Sequence, residues 1–412
     1  MRLDTFDLLI QQAKLPDGSL AQVAVKDGCI HAIAPPDKNL GTAKEVLDIQ
    51  GNLLCPGLVD GHIHLDKTFW GTPWQPHIPG DTVRQRVEIE KQMLREITIP
   101  VEERASRLTE LAIQQGTTLI RTHVDIHPEV GLRNLEGVLK VRDRYRDVVD
   151  IQIVAFPQSG LLSCPGTLEL LDAALSEGAD LIGGLDPAGI DRDVNGHLYE
   201  TFRLAEKHSV NVDIHLHDPG HLGIYELEQI AQLTVATGMQ GRVAVSHAYC
   251  LGMVPLDLAD ATAEKLAHAA IAIMTNAPGH HPFPSISRLQ QAGITVFSGS
   301  DDVRNAWCPF SNADMLERAM LIAYRSNFLT DADLMAAFEM ITTGGATVLG
   351  VEQYGLQKGA IADFVVLAAN SIPEAIATRA SRKYVIKRGH IIAKEGQLLT
   401  SSTLNDRQQF SF

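Results

Sequence analysis

Two histidine pairs, His62-Ile63-His64 and His215-Leu216-His217, each hold their rings one residue apart. Side chains on an extended strand alternate with period two, so each pair turns both rings to one face, where they could grip one ion. His247 and the adjacent acids Asp301 and Asp302 add an imidazole and two carboxylates farther along the chain. Imidazole and carboxylate ligands suit Zn2+ or Fe2+, and three histidines with one aspartate leave a position open for water. A single H-x-H pair is as readily a structural or solvated strand end. The recurrence of such groups at separate strand ends is what points to a metal-dependent hydrolytic centre.

Eight β-rich apolar segments are available to position these residues: "NLLCPGLVDGHIHL" from Asn52, "TTLIRTHVDI" from Thr117, "VVDIQIVAFPQ" from Val148, "ADLIGGLDP" from Ala179, "VNVDIHLHD" from Val210, "RVAVSHA" from Arg242, "AIAIMTN" from Ala270 and "ITVFSGSDD" from Ile294. Between them run amphipathic stretches such as "TVRQRVEIEKQMLREI", "LYETFRLAEKHS" and "IYELEQIAQLTVATG", whose apolar residues recur at three and four. This alternation predicts a (β/α)8 TIM-like barrel over residues 53–353, with its active site at the C-terminal ends of the strands. His62, His64, His123, Gln158, His215, His217, His247, Asp301 and Asp302 all fall at such ends and would converge on one mouth. Residues 1–52 and 354–398 instead read as short alternating strands with glycine turns, as in "LAQVAVKDGCIHAIAP" and "KYVIKRGHIIAKEG". They predict one small β-domain built from both chain ends, followed by a loosely ordered tail over 399–412.

With 412 residues the chain can bury a large core. The five cysteines are scattered and lack C-x-x-C spacing, which disfavours a disulfide framework and a zinc ribbon. A formal charge of -15 without a basic cluster opposes binding to nucleic acid or acidic membranes. No signal segment and no apolar run of spanning length is evident, so a cytoplasmic protein is expected, with a small neutral substrate and a homo-oligomeric state.

The segments "PGLVDGHIHLDK", "RTHVD", "DIQIVAFPQSG", "DIHLHD", "VSHA", "SDDVRNAWCPF" and "YGLQKGAIADFVVL" resemble the amidohydrolase superfamily, in its cytosine deaminase and N-isopropylammelide isopropylamidohydrolase-like branch. The resemblance runs nearly end to end. It implies that His62, His64, His215 and Asp301 ligate the metal, that His247 stands near the attacking water, and that Gln158 reads the substrate ring. The fourth-strand end "LIGGLDP" has no lysine of the kind that, carbamylated, bridges two metals, so one divalent ion is implied. Cytosine deaminases carry a glutamate where this chain has Asp218, whereas the isopropylammelide branch shares the His217-Asp218 arrangement. Period two puts His217 on the inward face beside His215, which favours it over Asp218 as proton shuttle.

The expected reaction is therefore hydrolytic removal of an exocyclic amino group from a cytosine-like pyrimidine or a related amino-oxo N-heterocycle. Release of an alkylamine from an N-isopropylammelide-type triazine is the alternative, followed by cyclic amide hydrolysis and by a ligand sensor that kept the barrel without its chemistry. Asp302 could hydrogen-bond the exocyclic nitrogen, and Trp307, like Trp70 and Trp74, could stack on a planar ring or cover the core. Asp66 and Lys67 read as a solvated ion pair at a strand end, with Lys67 also placed for a substrate contact. His123 and Asp125 would orient a ligand or pack in the core, and His280 and His281 lie in a loop that could border the substrate.

Overall fold

The computed structural model describes residues 5–279 and 281–399. His280 and the expected tail from residue 400 onward lie outside these residues. The chain begins with β1 (Thr5–Lys14), β2 (Leu20–Lys26), β3 (Cys29–Ala34), β4 (Thr42–Asp48) and β5 (Leu53–Pro56). The next eight strands are β6 (Leu58–Ile63), β7 (Thr117–Asp125), β8 (Asp150–Phe156), β9 (Leu181–Leu185), β10 (Asn211–Leu216), β11 (Val243–His247), β12 (Ala272–Met274) and β13 (Val296–Phe297). Four more close the chain: β14 (Phe364–Leu367), β15 (Arg382–Lys387), β16 (His390–Lys394) and β17 (Gln397–Leu398).

Strands β6 to β13 pair in sequence order, each parallel to the next. Parallel neighbours need crossovers, and the amphipathic stretches supply them: Val83–Glu96, Val194–His208 and Gly220–Ala236 are all helices. Thr82 caps the first of these by accepting from the Gln85 amide. The helices cover the outer face of the sheet and side chains fill its inside, so β6 and β9 are buried along their whole length. The sheet closes where the exit of β13 meets β6. There Gly61 N–H donates to Ser298 O at 3.0 Å and Asp301 N–H to His62 O at 2.7 Å, beside a parallel bridge between Ile63 and Asp301. This is the (β/α)8 barrel that the sequence predicts.

The second sheet has nine strands, β1 to β5 from one end of the chain and β14 to β17 from the other. Its core is formed by residues such as Leu8, Ile10, Val23, Leu54, Phe364 and Val366. The run from Asn52, expected to be one barrel strand, is in fact two. Leu53–Pro56 pairs antiparallel with β14, and the chain turns at Gly57 before entering the barrel as β6. Pro56 has no N–H for a continuing ladder, and a side chain at Gly57 would meet Thr118 Oγ1 at 2.3 Å.

Lys387 joins the two sheets. Its buried ammonium donates to Asp363 Oδ2 at 2.7 Å, Asp150 Oδ2 at 2.6 Å and Thr118 O at 3.1 Å. Removing one member of a buried ion pair leaves the other charge uncompensated. Lys387→Met is therefore expected to destabilise the fold by about 3 kcal/mol, read as a lower midpoint of urea unfolding. An unchanged midpoint would show that Asp363 finds another partner.

Candidate active site

The barrel places five imidazoles and a carboxylate in one buried cluster. His62 lies on β6 and His64 just beyond it; His123 comes from β7, His215 from β10, His247 from the end of β11, and Asp301 follows β13. The His62 ring centroid lies 4.0 Å from that of His123, 4.6 Å from His215, 5.3 Å from His247 and 5.4 Å from His64. Asp301 Oδ1 faces His62 Nε2 at 3.3 Å and His64 Nε2 at 3.5 Å. Potential ligand atoms of His62, His64 and Asp301 lie within 4.8 Å of one another, as do those of His62, His215 and His247, and those of His62, His123 and Asp213. His62 belongs to all three groups.

The hydrogen bonds around the cluster fix which ring nitrogens are bare. Ser246 Oγ donates its one proton to Asp213 Oδ1 at 2.9 Å, so it accepts from His62 Nδ1 at 3.0 Å and leaves His62 Nε2 with a free lone pair. His64 Nδ1 can only donate to the His123 carbonyl, at 3.2 Å, which leaves its Nε2 bare as well. His62 Nε2 and both ring nitrogens of His215 are buried without a partner. Burial lowers the pKa of His64 to about 4, helped by Lys67, and burial takes His215 and His247 well below the ordinary value. Burial alone would raise Asp301, but its carboxyl is held well below the usual range and stands as an anion among the rings. Neutral rings with bare nitrogens beside one carboxylate form a donor set that fits a divalent transition metal.

Backbone geometry supports the same cluster. His247 and Asp301 have φ of +74° and +58°, left-handed values that cost non-glycine residues energy and collect at functional sites. Asn276 Nδ2 donates to Asp301 Oδ2 at 2.7 Å. Asp60 on β6 accepts from the Ser300 amide at 2.9 Å and so holds the turn that carries Asp301; burial pushes the Asp60 carboxyl up to about 6.

The cluster floors a cavity of about 1600 Å3 at the C-terminal ends of the strands. His217 stands on its wall, stacked on His247 with centroids 4.5 Å apart and facing Trp307 at 6.4 Å. Asp186, at the end of β9, accepts from the His217 backbone amide and contacts its Nδ1 at 3.1 Å. Burial lowers the His217 pKa, but the Asp186 carboxylate outweighs it by charge and hydrogen bond, and the net shift is upward. Asp218 also reaches the cavity, yet its Oδ2 accepts from the Gly189 amide at 2.7 Å and its side chain hydrogen-bonds Glu226. Asp302 is half-buried, accepts from Asn305, and is raised well above the usual carboxylate range by burial and the Asp301 charge.

Lys67 and Asp66 are not a solvated pair. Both are buried, and they face different partners. Asp66 Oδ2 accepts from the Asp125 amide and Asn134 Nδ2, each at 3.0 Å. Lys67 turns instead to Gln158 Oε1 and lies 3.7 Å from Glu90 Oε1. Among the described residues Trp307 lines the cavity with His281, which stacks on Tyr249 at 5.3 Å, while Trp70 and Trp74 pack against Arg304 outside it. Sequence reasoning missed Asp186, Asn276, Ser246, Asp213 and Glu90. The rule that strand ends face the mouth would have found the first two. Glu90 shows itself as an acid three residues after Val87 on the buried stripe of a helix.

The Ser246 hydroxyl links Asp213 to the His62 ring, and links of this kind typically carry about 10- to 100-fold in metal affinity. Ser246→Ala is expected to weaken divalent-ion binding by about 10- to 100-fold, measured by competition with a chromogenic chelator. Wild-type affinity would show that His62 is oriented by packing alone.

A family model described as the amidohydrolase family matches residues 45–393. The chain is similar, at 34% identity, to the N-isopropylammelide isopropyl amidohydrolase of Pseudomonas sp. (strain ADP), over 95% of this chain and 98% of that protein. It resembles the solved structure of N-isopropylammelide isopropylaminohydrolase from Burkholderia multivorans, with a TM-score of 0.92, 41% identity and coverage of 96% of this chain and 100% of that one. The 5-methylcytosine deaminase of Klebsiella pneumoniae liganded with 5-fluorocytosine gives a TM-score of 0.82 at 26% identity, covering 94% and 97%. The chain belongs to the amidohydrolase family and is a hydrolase of carbon–nitrogen bonds.

Proposed function

We propose that the protein hydrolyses the exocyclic carbon–nitrogen bond of an oxo-substituted N-heterocycle and releases a small amine. The observation that carries this reading is His217, a ring clamped by Asp186 and stacked on His247 at the edge of a bare imidazole–carboxylate cluster. A proton donor beside a donor set for a divalent ion is what hydrolytic amine release requires.

In this reading His62, His64, His215 and Asp301 hold one ion, zinc or iron. Bound there, it supplies Lewis acidity that lowers the pKa of a water to about 7. Asp301, kept anionic and oriented by Asn276, accepts a proton from the attacking water. His217 delivers a proton to the ring nitrogen, with Asp186 compensating its charge; the proton taken up by Asp301 passes to the departing amine, and the hydroxyl proton lost as the new carbonyl forms returns to His217. His247 hydrogen-bonds the new carbonyl oxygen, Asp302 contacts the exocyclic nitrogen, and Trp307 with Gln158 and Lys67 receives the ring. Asp218 is held by Gly189 and Glu226 and supports the loop that carries Asp186.

For the substrate, the two full-length relatives named for N-isopropylammelide move the first choice from a free aminopyrimidine to an N-alkylamino-dioxo-triazine. The cavity is large enough for a ring with its alkyl substituent, since ordinary ligand pockets run to about 300–1,000 Å3. Amine release should be measured across N-isopropylammelide, cytosine, 5-methylcytosine and a pterin. A kcat/KM for the N-alkyl triazine more than about tenfold above cytosine, or ~1.4 kcal/mol of transition-state binding, is expected. Failure to release amine from any of them would refute the heterocycle reading.

His217→Gln and Asp186→Asn are each expected to lower kcat, the former by roughly 10²- to 10⁴-fold, with bound metal unchanged. Retained activity in both, together with inactive Asp218→Ala, would transfer the proton to Asp218.

A further inference from the structure

Glu90 comes from the helix Val83–Glu96, the first to follow β6, and its side chain is fully buried where it joins the cavity wall. Gln158 Nε2 donates to Glu90 Oε1, and Gln158 Oε1 accepts from Lys67 Nζ. This arrangement fixes the amide. Flipping it would set N–H groups against an ammonium and a carbonyl against a carboxylate. Lys67 also sits 4.9 Å from the Phe156 ring, which stacks on His215 at 4.1 Å and 25°, so the network adjoins the cluster.

The hydrogen-bond inventory leaves a definite remainder. Gln158 keeps one N–H, Lys67 keeps further N–H donors, and Glu90 Oε2 is buried with no partner. Asp60, Asp66, Asp125 and Glu226 also leave one buried carboxylate oxygen unpartnered, but they lie outside the cavity lining, whereas Glu90 belongs to it, so its oxygen is the one that a ligand can satisfy. Lys67, Gln158 and Glu90 all line the cavity, and two donor groups beside one acceptor match two carbonyls and one N–H. A cytosine-type ring, with a single oxo group, leaves one of those donors without a carbonyl.

We infer that Glu90 is a substrate-specificity residue, and that with Lys67 and Gln158 it reads an imide edge, C(=O)–N(H)–C(=O), of the substrate ring. This rests on the heterocycle reading above and deepens it by assigning which edge of the dioxo ring is read and by which residues. Glu90 accepts from the imide N–H while Lys67 and Gln158 donate to the carbonyls on either side.

The test uses the metal-loaded enzyme and two probes that lack a leaving amine: 1,3,5-triazine-2,4,6-trione, which carries imide edges, and its N,N′,N″-trimethyl derivative, which has no N–H. Calorimetric titration of wild type is expected to show the N–H ring binding at least about tenfold tighter, as in sites built to hydrogen-bond a ligand. Glu90→Gln is expected to bring that preference below about threefold by loss of affinity for the N–H ring, and to raise KM for the amine-releasing substrate more than it lowers kcat. The ratio of two ligands within one protein is independent of a folding defect, and the wild-type comparison needs no variant. Equal binding of the two probes by an enzyme that releases amine would overturn the role of Glu90 alone, as would an unchanged ratio in Glu90→Gln. A wild type that binds neither probe and releases no amine would overturn the parent reading with it.

Discussion

The hydrogen bond from the Asp301 amide to the His62 carbonyl, 2.7 Å long, lies on the seam where the eight-stranded sheet returns to its first strand. Its two residues are also those whose side chains meet in the bare donor cluster. Barrel closure and assembly of the site are thus one event. The seam is tight enough to leave no room for side chains: a Cβ on Gly299 would stand 2.2 Å from His62 O, and one on Gly61 2.6 Å from the Phe297 ring. The Asp60 carboxylate crosses the same seam to accept from the Ser300 amide, so the turn carrying Asp301 is held by a side chain of β6 as well as by the backbone bond to His62.

Above this seam the cavity divides by chemistry. On one side, buried rings are kept neutral and one carboxylate anionic, and the supporting groups Ser246, Asp213 and Asn276 hold them in orientation. On the other, charge is arranged in opposed pairs, Asp186 with His217 and Glu90 with Lys67. The first side suits an ion that needs bare lone pairs; the second suits a polar ring whose protons must be directed. Burial drives both. It removes competing water from the rings, and it makes an unpaired charge so costly that each acid acquires a partner.

Much of this was legible in the sequence because period and position carry it. Alternation of apolar strands with amphipathic helices foretold the barrel, and residues at strand ends foretold which histidines and acids would meet. The break at Gly57 was hidden, since an apolar run of that length reads the same whether it serves one sheet or two. The burial of Lys67 is not legible, because nothing local to "HLDK" reveals that the helix Val83–Glu96 supplies it with a buried acid. Ser246 and Asp213 sit within strands one layer beneath the mouth, and only the pairing of β10 with β11 brings them under His62. Periodicity reports which face a residue occupies; it does not report its partner across the sheet.

The absence of room at Gly61 and Gly299 bears on how such a protein can change. Near the seam, a side chain added at Gly299 would meet the main chain of His62, so a substitution there disturbs the strand path itself. Across the cavity, Glu90, Lys67, Gln158 and Trp307 belong to a helix and to loops rather than to strands, but the first three are buried against one another, so that exchanging one leaves a partner uncompensated. Variation is therefore partitioned in space. The wall beside the seam is fixed by main-chain contacts, while the facing wall changes only by concerted exchange of bonded partners, and a search for an altered cavity belongs on the loops and the first helix rather than at the strand ends.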